Sequence, residues 1–272
     1  MSMMKQGEEK RVAFLLQRIR EQKPLIHHIT NMVVMNDTAN VTLAIGALPV
    51  MAHAPEEVEE MVDLASALVL NIGTLDGTRV ESMLRAGKRA NQRGIPIVLD
   101  PVGAGATRLR TRTALRLLHE LRVAVVRGNA AELAALIGIA GETRGVASMS
   151  IAGEREMIAR RAAGEFGCAV AITGARDLIM DGERLAYVDN GHPLLAAITG
   201  SGCMATSLIA AFLAVEPDRW FASIAGLICI GLAGELAAQR ARGPGTFHSH
   251  VLDMVAALDE PVLARGQKVS LV

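Results

Sequence analysis

Aromatic side chains are nearly missing from this chain: its 272 residues include one Trp, one Tyr and five Phe. A core must be built instead from Ala, Leu, Ile, Val and Met, and the 51% hydrophobic content can supply them. Cysteine is scarce as well. Cys168, Cys203 and Cys229 are odd in number and widely spaced, which argues against a disulfide framework or a zinc site. Net charge is absent, with 28 basic residues against 28 acidic, and no basic run marks a nucleic-acid footprint. A small anionic ligand held by local geometry is still allowed. No apolar run reaches the roughly 18 residues of a spanning helix. The longest, Trp220 to Gly234, contains Gly226 and Gly231 and reads as a buried helix. The start carries Lys5, Glu8, Glu9, Lys10 and Arg11 and lacks the apolar stretch of a secretory signal, so a cytoplasmic protein is expected. A Gly-x-x-x-x-Gly-Lys-Ser/Thr loop is missing, which excludes a P-loop NTPase. Gly103-Ala104-Gly105 lacks the third glycine of a dinucleotide fingerprint and follows the wrong strand, which argues against NAD.

What is present is an alternation of short β-branched runs and helical patterns. Ala67–Asn71, Ile95–Asp100, Val123–Arg127 and Ala169–Thr173 read as buried parallel strands. Helix-like segments follow the first three, at Leu75–Gln92, Leu109–Leu121 and Asn129–Ile137. Asp181-Gly182 between two alternating runs signals a hairpin, so antiparallel strands should extend one sheet edge. From Cys203 onward the pattern is helical, through Val215, then Trp220–Ala241, then Phe247–Leu258. With no linker and no internal repeat, a single α/β domain over 1–272 is expected, with a mostly parallel central sheet and helices on both faces.

In such sheets, ligands bind beyond the carboxyl ends of the strands. Every loop there is polar or glycine-rich: Asn71-Ile72-Gly73-Thr74, Asp100 to Gly105, Arg127 to Glu132, and Thr173-Gly174-Ala175. Asp100 ends a strand and is either a turn aspartate or a functional acid. Glu132 falls in the first turn of a helix opened by Asn129, where favourable charge at the helix start is the simpler account. As neighbours on one rim, the two carboxylates suit a hydrated Mg²⁺, which takes one or two carboxylates together with phosphate oxygens. Arg127 ends an apolar strand and needs an anion, either a triphosphate or a structural carboxylate.

The densest stretch is Asn190-Gly191-His192-Pro193-Leu194-Leu195 running into Ile198-Thr199-Gly200-Ser201-Gly202-Cys203. Two glycines before a helix make an anion site from free N–H groups and the helix dipole, which points to phosphoryl transfer. Cys203 is either a small buried hydrophobe or, with its pKa lowered at the helix N-terminus, a general base. A second stretch runs from Pro24 through Asn31 and Asn36 to Met51. Asn31 and Asn36 suit a small polar heterocycle, with Met51 as a soft apolar wall; helix capping by Asn36 or Asp37 competes with that role. His27 and His28 point different ways, lack a third metal ligand and read as loop histidines.

These residues resemble the hydroxyethylthiazole kinase family of the ribokinase-like superfamily, from about Pro24 to Ala214 and more weakly beyond. The likeness is carried by Ile29-Thr30-Asn31, Asn36 to Asn40, Gly46 to Met51, Leu99 to Ala104, Arg127 to Glu132 and Asn190 to Cys203. It implies a ribokinase-like sandwich that phosphorylates the hydroxyl of 4-methyl-5-(2-hydroxyethyl)thiazole with ATP and Mg²⁺, a step of thiamine biosynthesis or salvage. Met51 and Gly200 would contact the thiazole, Arg127 and Thr173 the ATP, and Asp100 and Glu132 the magnesium. Cys203 stands where related sugar and vitamin kinases place an aspartate base, and Gly200 and Gly202 frame the anion hole. The family also implies a homotrimer whose sites are shared between subunits, the Asn31–Met51 region of one facing the Gly200–Cys203 loop of another. His28 departs from the smaller residue expected there. A pyrimidine or pyridoxal-type kinase, an ADP-dependent repair dehydratase and a non-catalytic thiazole or thiamine sensor are the competing readings.

Overall fold

Aliphatic and β-branched runs bounded by Gly, Asn or Pro become strands, and the segments between them become helices. The computed structural model describes residues 2–3, 8–139 and 151–272. Residues 1 and 4–7 of the charged N-terminal segment lie outside the described residues. In order, the elements are β1 (Ser2–Met3), α1 (Glu8–Gln22), β2 (Leu25–Ile29), α2 (Met35–Ile45), β3 (Leu48–Val50), α3 (Val58–Leu64), β4 (Ala67–Asn71), α4 (Gly77–Arg93), β5 (Ile97–Asp100), α5 (Arg108–Glu120), β6 (Val125–Asn129) and α6 (Ala130–Leu136). Then come α7 (Ile151–Phe166), β7 (Ala169–Thr173), β8 (Asp177–Asp181) and β9 (Arg184–Val188). A short 3-10 turn (Pro193–Ala197) precedes α8 (Ser201–Leu213), α9 (Arg219–Ala238), α10 (Pro244–Ala257), α11 (Glu260–Gly266) and β10 (Val269–Leu271).

All ten strands join one sheet in the order β1-β10-β9-β8-β7-β6-β5-β4-β2-β3. Pairing is parallel from β3 through β7 and antiparallel from β7 to β1, so the hairpin signal at Asp181-Gly182 does extend the edge. The two-residue period of a strand sorts its side chains between faces. Ala67 and Val69 of β4, and Ala169 and Ala171 of β7, face the core shared with α8, α9 and α10. Leu68 and Leu70, and Val170 and Ile172, face the core under α4 to α7. The small residues on the first face let α8 and α9 lie close to the sheet.

Two expectations change. His27 and His28 are strand residues of β2, fully buried, and not loop histidines. Two polar residues interrupt the apolar run that marks a buried strand, and this hides β2 in the sequence. Neither Asn36 nor Asp37 caps α2: the N-cap position is Val34, with no side-chain bond. The Trp220–Gly234 stretch lies, as expected, in a buried helix, α9, although its 20 residues are enough to cross a membrane by length and composition. Its apolar surface is used inside the chain, however. Residues on every side of α9 are buried, as a helix that is apolar all round requires. At Gly226 the helix lies so close to α8 that a Cβ would stand 2.8 Å from the Ile209 backbone nitrogen.

Candidate active site

The rim of the sheet sets the positions. Asn71 ends β4, and its register partner Asp100 ends β5. Next along the sheet come Arg127 and then Thr173, from β6 and β7. Above them α8 begins. Its N-cap, Gly200, has φ 86° and ψ −8°, in the left-handed region that glycine adopts without strain. The first backbone bond of α8 runs from Met204 N to Gly200 O at 2.8 Å, so the amides of Ser201, Gly202 and Cys203 have no partner within the helix.

The Arg127 guanidinium lies over Gly202 so closely that a Cβ there would collide with it. A cation therefore faces the positive end of a helix. Both repel cations and attract anions, and Arg127 Nε is buried without a partner. A phosphate set beside the two would meet both positive groups at once. Arg127 Nη2 donates to Thr173 Oγ1, and Nη1 stands 3.5 Å from Asp100 Oδ2.

Asp100 is the centre of a buried polar chain. Its Oδ2 accepts from Thr206 Oγ1 at 2.8 Å and from Asn71 Nδ2 at 3.1 Å, while Oδ1 has no partner. Burial pushes its carboxyl above the ordinary range, opposed by the Arg127 charge and the Thr206 bond. Asn71 Nδ2 also donates to Cys203 Sγ at 3.2 Å, and Asn71 Oδ1 accepts from Asn31 Nδ2 at 2.9 Å. Asn31 Nδ2 lies 3.7 Å from the same sulfur. The lowered thiol pKa expected at the helix N-terminus is not found. Burial, with Asp100 adding to it, pushes Cys203 up to about 12, because desolvation outweighs the Arg127 charge and the Asn71 and Asn31 bonds that oppose it.

Glu132 closes a capping box. Its Oε2 accepts from Asn129 N and Asn129 Oδ1 accepts from Glu132 N, at 2.8 and 2.9 Å. Its Oε1 accepts from Gly103 N at 2.8 Å, tying the loop after β5 to the loop after β6. Among the described residues no cluster of three His, Cys, Asp or Glu side chains is arranged to hold a metal. The unpartnered Oδ1 of Asp100 is the acceptor that a cation would satisfy, with Glu132 near enough to raise the Asp100 pKa further.

The acceptor-side residues divide. Asn31 joins the Cys203 of its own chain, which corrects the expectation that this region faces the neighbouring subunit's loop as one block. Its Oδ1 accepts from the amides of Val33 and Val34, at 3.1 and 3.2 Å. Asn36 stays on the exposed face of α2, bonded to Asn40 at 2.8 Å. Met51 follows β3, three strand positions from β5, a lateral distance of roughly 14 Å at ordinary strand spacing. Sequence reasoning missed Asn71 and Thr206. Thr206 follows Cys203 by three residues and so shares its helix face, a spacing that could have found it.

Beside the anion site lies an open cavity of about 570 Å³. Arg127, Thr173 and Asp177 line it at one side, and Leu195, Leu227 and Ile230 at the other. Asp177 Oδ1 accepts from Gly174 N at 2.9 Å and so closes the turn after Thr173; burial pushes its carboxyl up to about 6. A polyphosphate at the polar side and a flat apolar group at the other would fill such a space.

This arrangement of sheet, helices and rim is that of the ribokinase-like fold. A ribokinase-like superfamily protein from Enterococcus faecalis V583 superimposes with a TM-score of 0.63 at 15% identity, over 87% of this chain and 88% of that one. The hydroxyethylthiazole kinase protein of Pyrococcus horikoshii OT3 superimposes at 0.89, with 46% identity over 97% and 99% of the two chains. The hydroxyethylthiazole kinase of Roseiflexus sp. (strain RS-1) is 56% identical over 259 residues, 95% of this chain and 96% of that protein. The model of the hydroxyethylthiazole kinase family matches residues 16–261, and the chain belongs to that family.

Proposed function

We propose that this enzyme transfers the γ-phosphoryl group of ATP to the hydroxyl of 4-methyl-5-(2-hydroxyethyl)thiazole. The observation that carries the reading is the Arg127 guanidinium held over the free amides of α8, beside a cavity that accommodates a nucleotide. In the reaction the alcohol oxygen bonds to the γ-phosphorus, the bond from that phosphorus to the β,γ-bridging oxygen breaks, and ADP leaves. Arg127 and Thr173 hold the phosphates from the sheet side, and the amides of Ser201, Gly202 and Cys203 receive the charge of the transferring group. Asp100 and Glu132 would hold Mg²⁺ through Asp100 Oδ1 and the remaining lone pairs of Glu132, and the ion would neutralise phosphate charge. Cys203 borders the attacking oxygen. A thiol held protonated is a weak base, so its part is to orient the hydroxyl and relay its proton late, the sulfur taking the alcohol proton as it gives its own to an oxygen of the transferred phosphate. Three free, buried cysteines agree with a reducing cytoplasm.

The assembly belongs to the same proposal. Met32, Val33, Leu43, Leu48 and Leu64 are 44% to 70% exposed, and Leu48 lies on the edge strand β3. An apolar edge of this kind is suited to a neighbouring copy, and a homotrimer would bring Met51 to the Gly200–Cys203 loop of another subunit. The test of function is ADP release over a panel of thiazole, pyrimidine and pyridoxine alcohols. The thiazole alcohol should turn over fastest, and faster turnover of hydroxymethylpyrimidine or pyridoxal would reassign the substrate. Asp100→Asn should raise the Mg²⁺ concentration needed for half-maximal rate; an unchanged titration would remove Asp100 from the metal.

A further inference from the structure

Two adjacent residues of α10 reach the two ends of the segment that leads into α8, Phe247 directly and His248 through α2. Phe247, fully buried, packs its ring on His192 with centroids 6.2 Å apart. His192 borders the cavity and opens the 3-10 turn, its Nδ1 accepting from Leu194 N at 3.2 Å. The next residue, His248, places Nε2 2.9 Å from Asp37 Oδ1. Asp37 stands in the first turn of α2, and with Val34 it closes over Gly200. A Cβ built on Gly200 would stand 3.0 Å from Val34 Cγ1 and 3.3 Å from Asp37 Oδ2.

Gly200 has no side chain to lock its left-handed conformation, and glycine visits either sign of φ readily. The conformation has to be imposed by what packs on it, the first turn of α2. That turn has no side-chain cap of its own. Asn31 Oδ1 holds its entry through the amides of Val33 and Val34, and the bond from Asp37 to His248 ties it across to a third helix. The catalytic scheme above uses neither residue.

We propose that Asp37 and His248 form a positioning pair for the acceptor alcohol. The pair fixes the first turn of α2 against Gly200, and so aims the amides of Ser201, Gly202 and Cys203 at the transferring group. The inference rests on the phosphoryl-transfer reading of this loop. Arg127 and Thr173 are carried by β6 and β7, so the pair acts on the alcohol side and leaves the nucleotide side in place.

The test is steady-state kinetics with ATP and the alcohol varied separately, on Asp37→Ala, His248→Ala, the double variant and Asp37→Asn. Each alanine variant should lose roughly 10- to 100-fold in kcat/KM for the alcohol, as small misplacements at a reacting centre do. The KM for ATP should stay within about twofold of the parent, the mark of an effect on one substrate. The double variant should be no worse than the poorer single one, because one interaction is removed either way. Asp37→Asn should recover most of the loss, since its amide oxygen still accepts from Nε2–H. Parent-like single variants, additive losses in the double variant, or an equal rise in both KM values would overturn the pair. Parent turnover is measured first on the alcohol panel. If the thiazole alcohol is not the substrate, the function reading fails, and the pair is then tested with the alcohol the parent prefers. Melting temperatures identify a variant that does not fold, and the partner substitution on the other helix then supplies the result.

Discussion

Around the ends of β4 to β7, Asn71, Asp100, Arg127 and Thr173 meet Cys203 and Thr206 of α8 within one chain, most of them buried and bonded to one another. At the other end of the sheet, the β3 edge exposes Leu48, and Met51 follows that edge strand. The polar groups that need placement to fractions of an ångström are thus internal, fixed by strand register and one helix. Apolar contact tolerates looser placement, and it is left at an edge that a second copy can cover. The polar half is bonded together within one chain, and the proposed trimer would complete the acceptor half.

The largest test removes the centre of the polar half. Arg127→Ala leaves Asp100 buried without its cation and the α8 amides without the opposing charge. By analogy with arginines that neutralise a transferring phosphoryl, kcat/KM for ATP should fall by about 10³-fold or more, with a smaller change in thiazole binding. A loss below tenfold in coupled-assay kinetics would show that the helix amides suffice. The acceptor half is tested by mixing. Met51→Glu and Arg127→Ala, each nearly inactive alone, should regain activity at about a quarter of the sites when subunits exchange at random in a ring. No recovery after mass spectrometry has confirmed mixed trimers would make each site self-contained.

A smaller effect is expected at Cys203. Removing a general base typically costs about 10²–10⁴-fold, and a thiol pushed up to about 12 should fall at or below the lower end of that range. Cys203→Ala should therefore retain readily measured turnover. Cys203→Asp should exceed it, since a carboxylate starts from a reference pKa near 3.9 and can ionise even when burial raises it. Equal rates for the two variants would show that no proton is accepted at this position.

The smallest effect compares the stability of the two halves in acid. Burial pushes His28 down to about 3, with His27 and His53 adding to the shift, and His27 and His53 are lowered as well. A folded-state pKa below the unfolded 6.5 means that the stability from neutral histidines is complete above 6.5 and is lost as pH falls toward 3. At pH 5, His28 alone should cost about 2 kcal/mol relative to pH 7.5. Urea unfolding at the two pH values checks this, and His28→Leu should flatten the difference. If the parent shows no loss, the histidines take up protons without penalty.

Much of the central sheet could be read from the sequence, because buried parallel strands are continuous apolar runs; Ala67–Asn71 and Ala169–Thr173 match to the residue. β2 could not, because two histidines interrupt it, and β1, β3 and β10 are too short to show a period. In the site, Asp100, Arg127 and Cys203 stood out because each ends a strand or opens a helix. Asn71 did not, since its importance comes from the register that sets it opposite Asp100. The state of the Cys203 thiol was also out of reach, because burial is a property of the packed chain and has no local signature.

The position of β10 has a consequence for biosynthesis. The last strand of the chain lies between β9 and β1, the first, pairing Ser270 with Tyr187 on one side and with Met3 on the other. During translation, therefore, β1 has no place to dock and β9 keeps a free edge until β10 has been made. An open edge is a template for pairing with another chain. The nascent protein is thus exposed to association with its neighbours for as long as the helices between β9 and β10 are being made, and the docking of β10 ends that exposure.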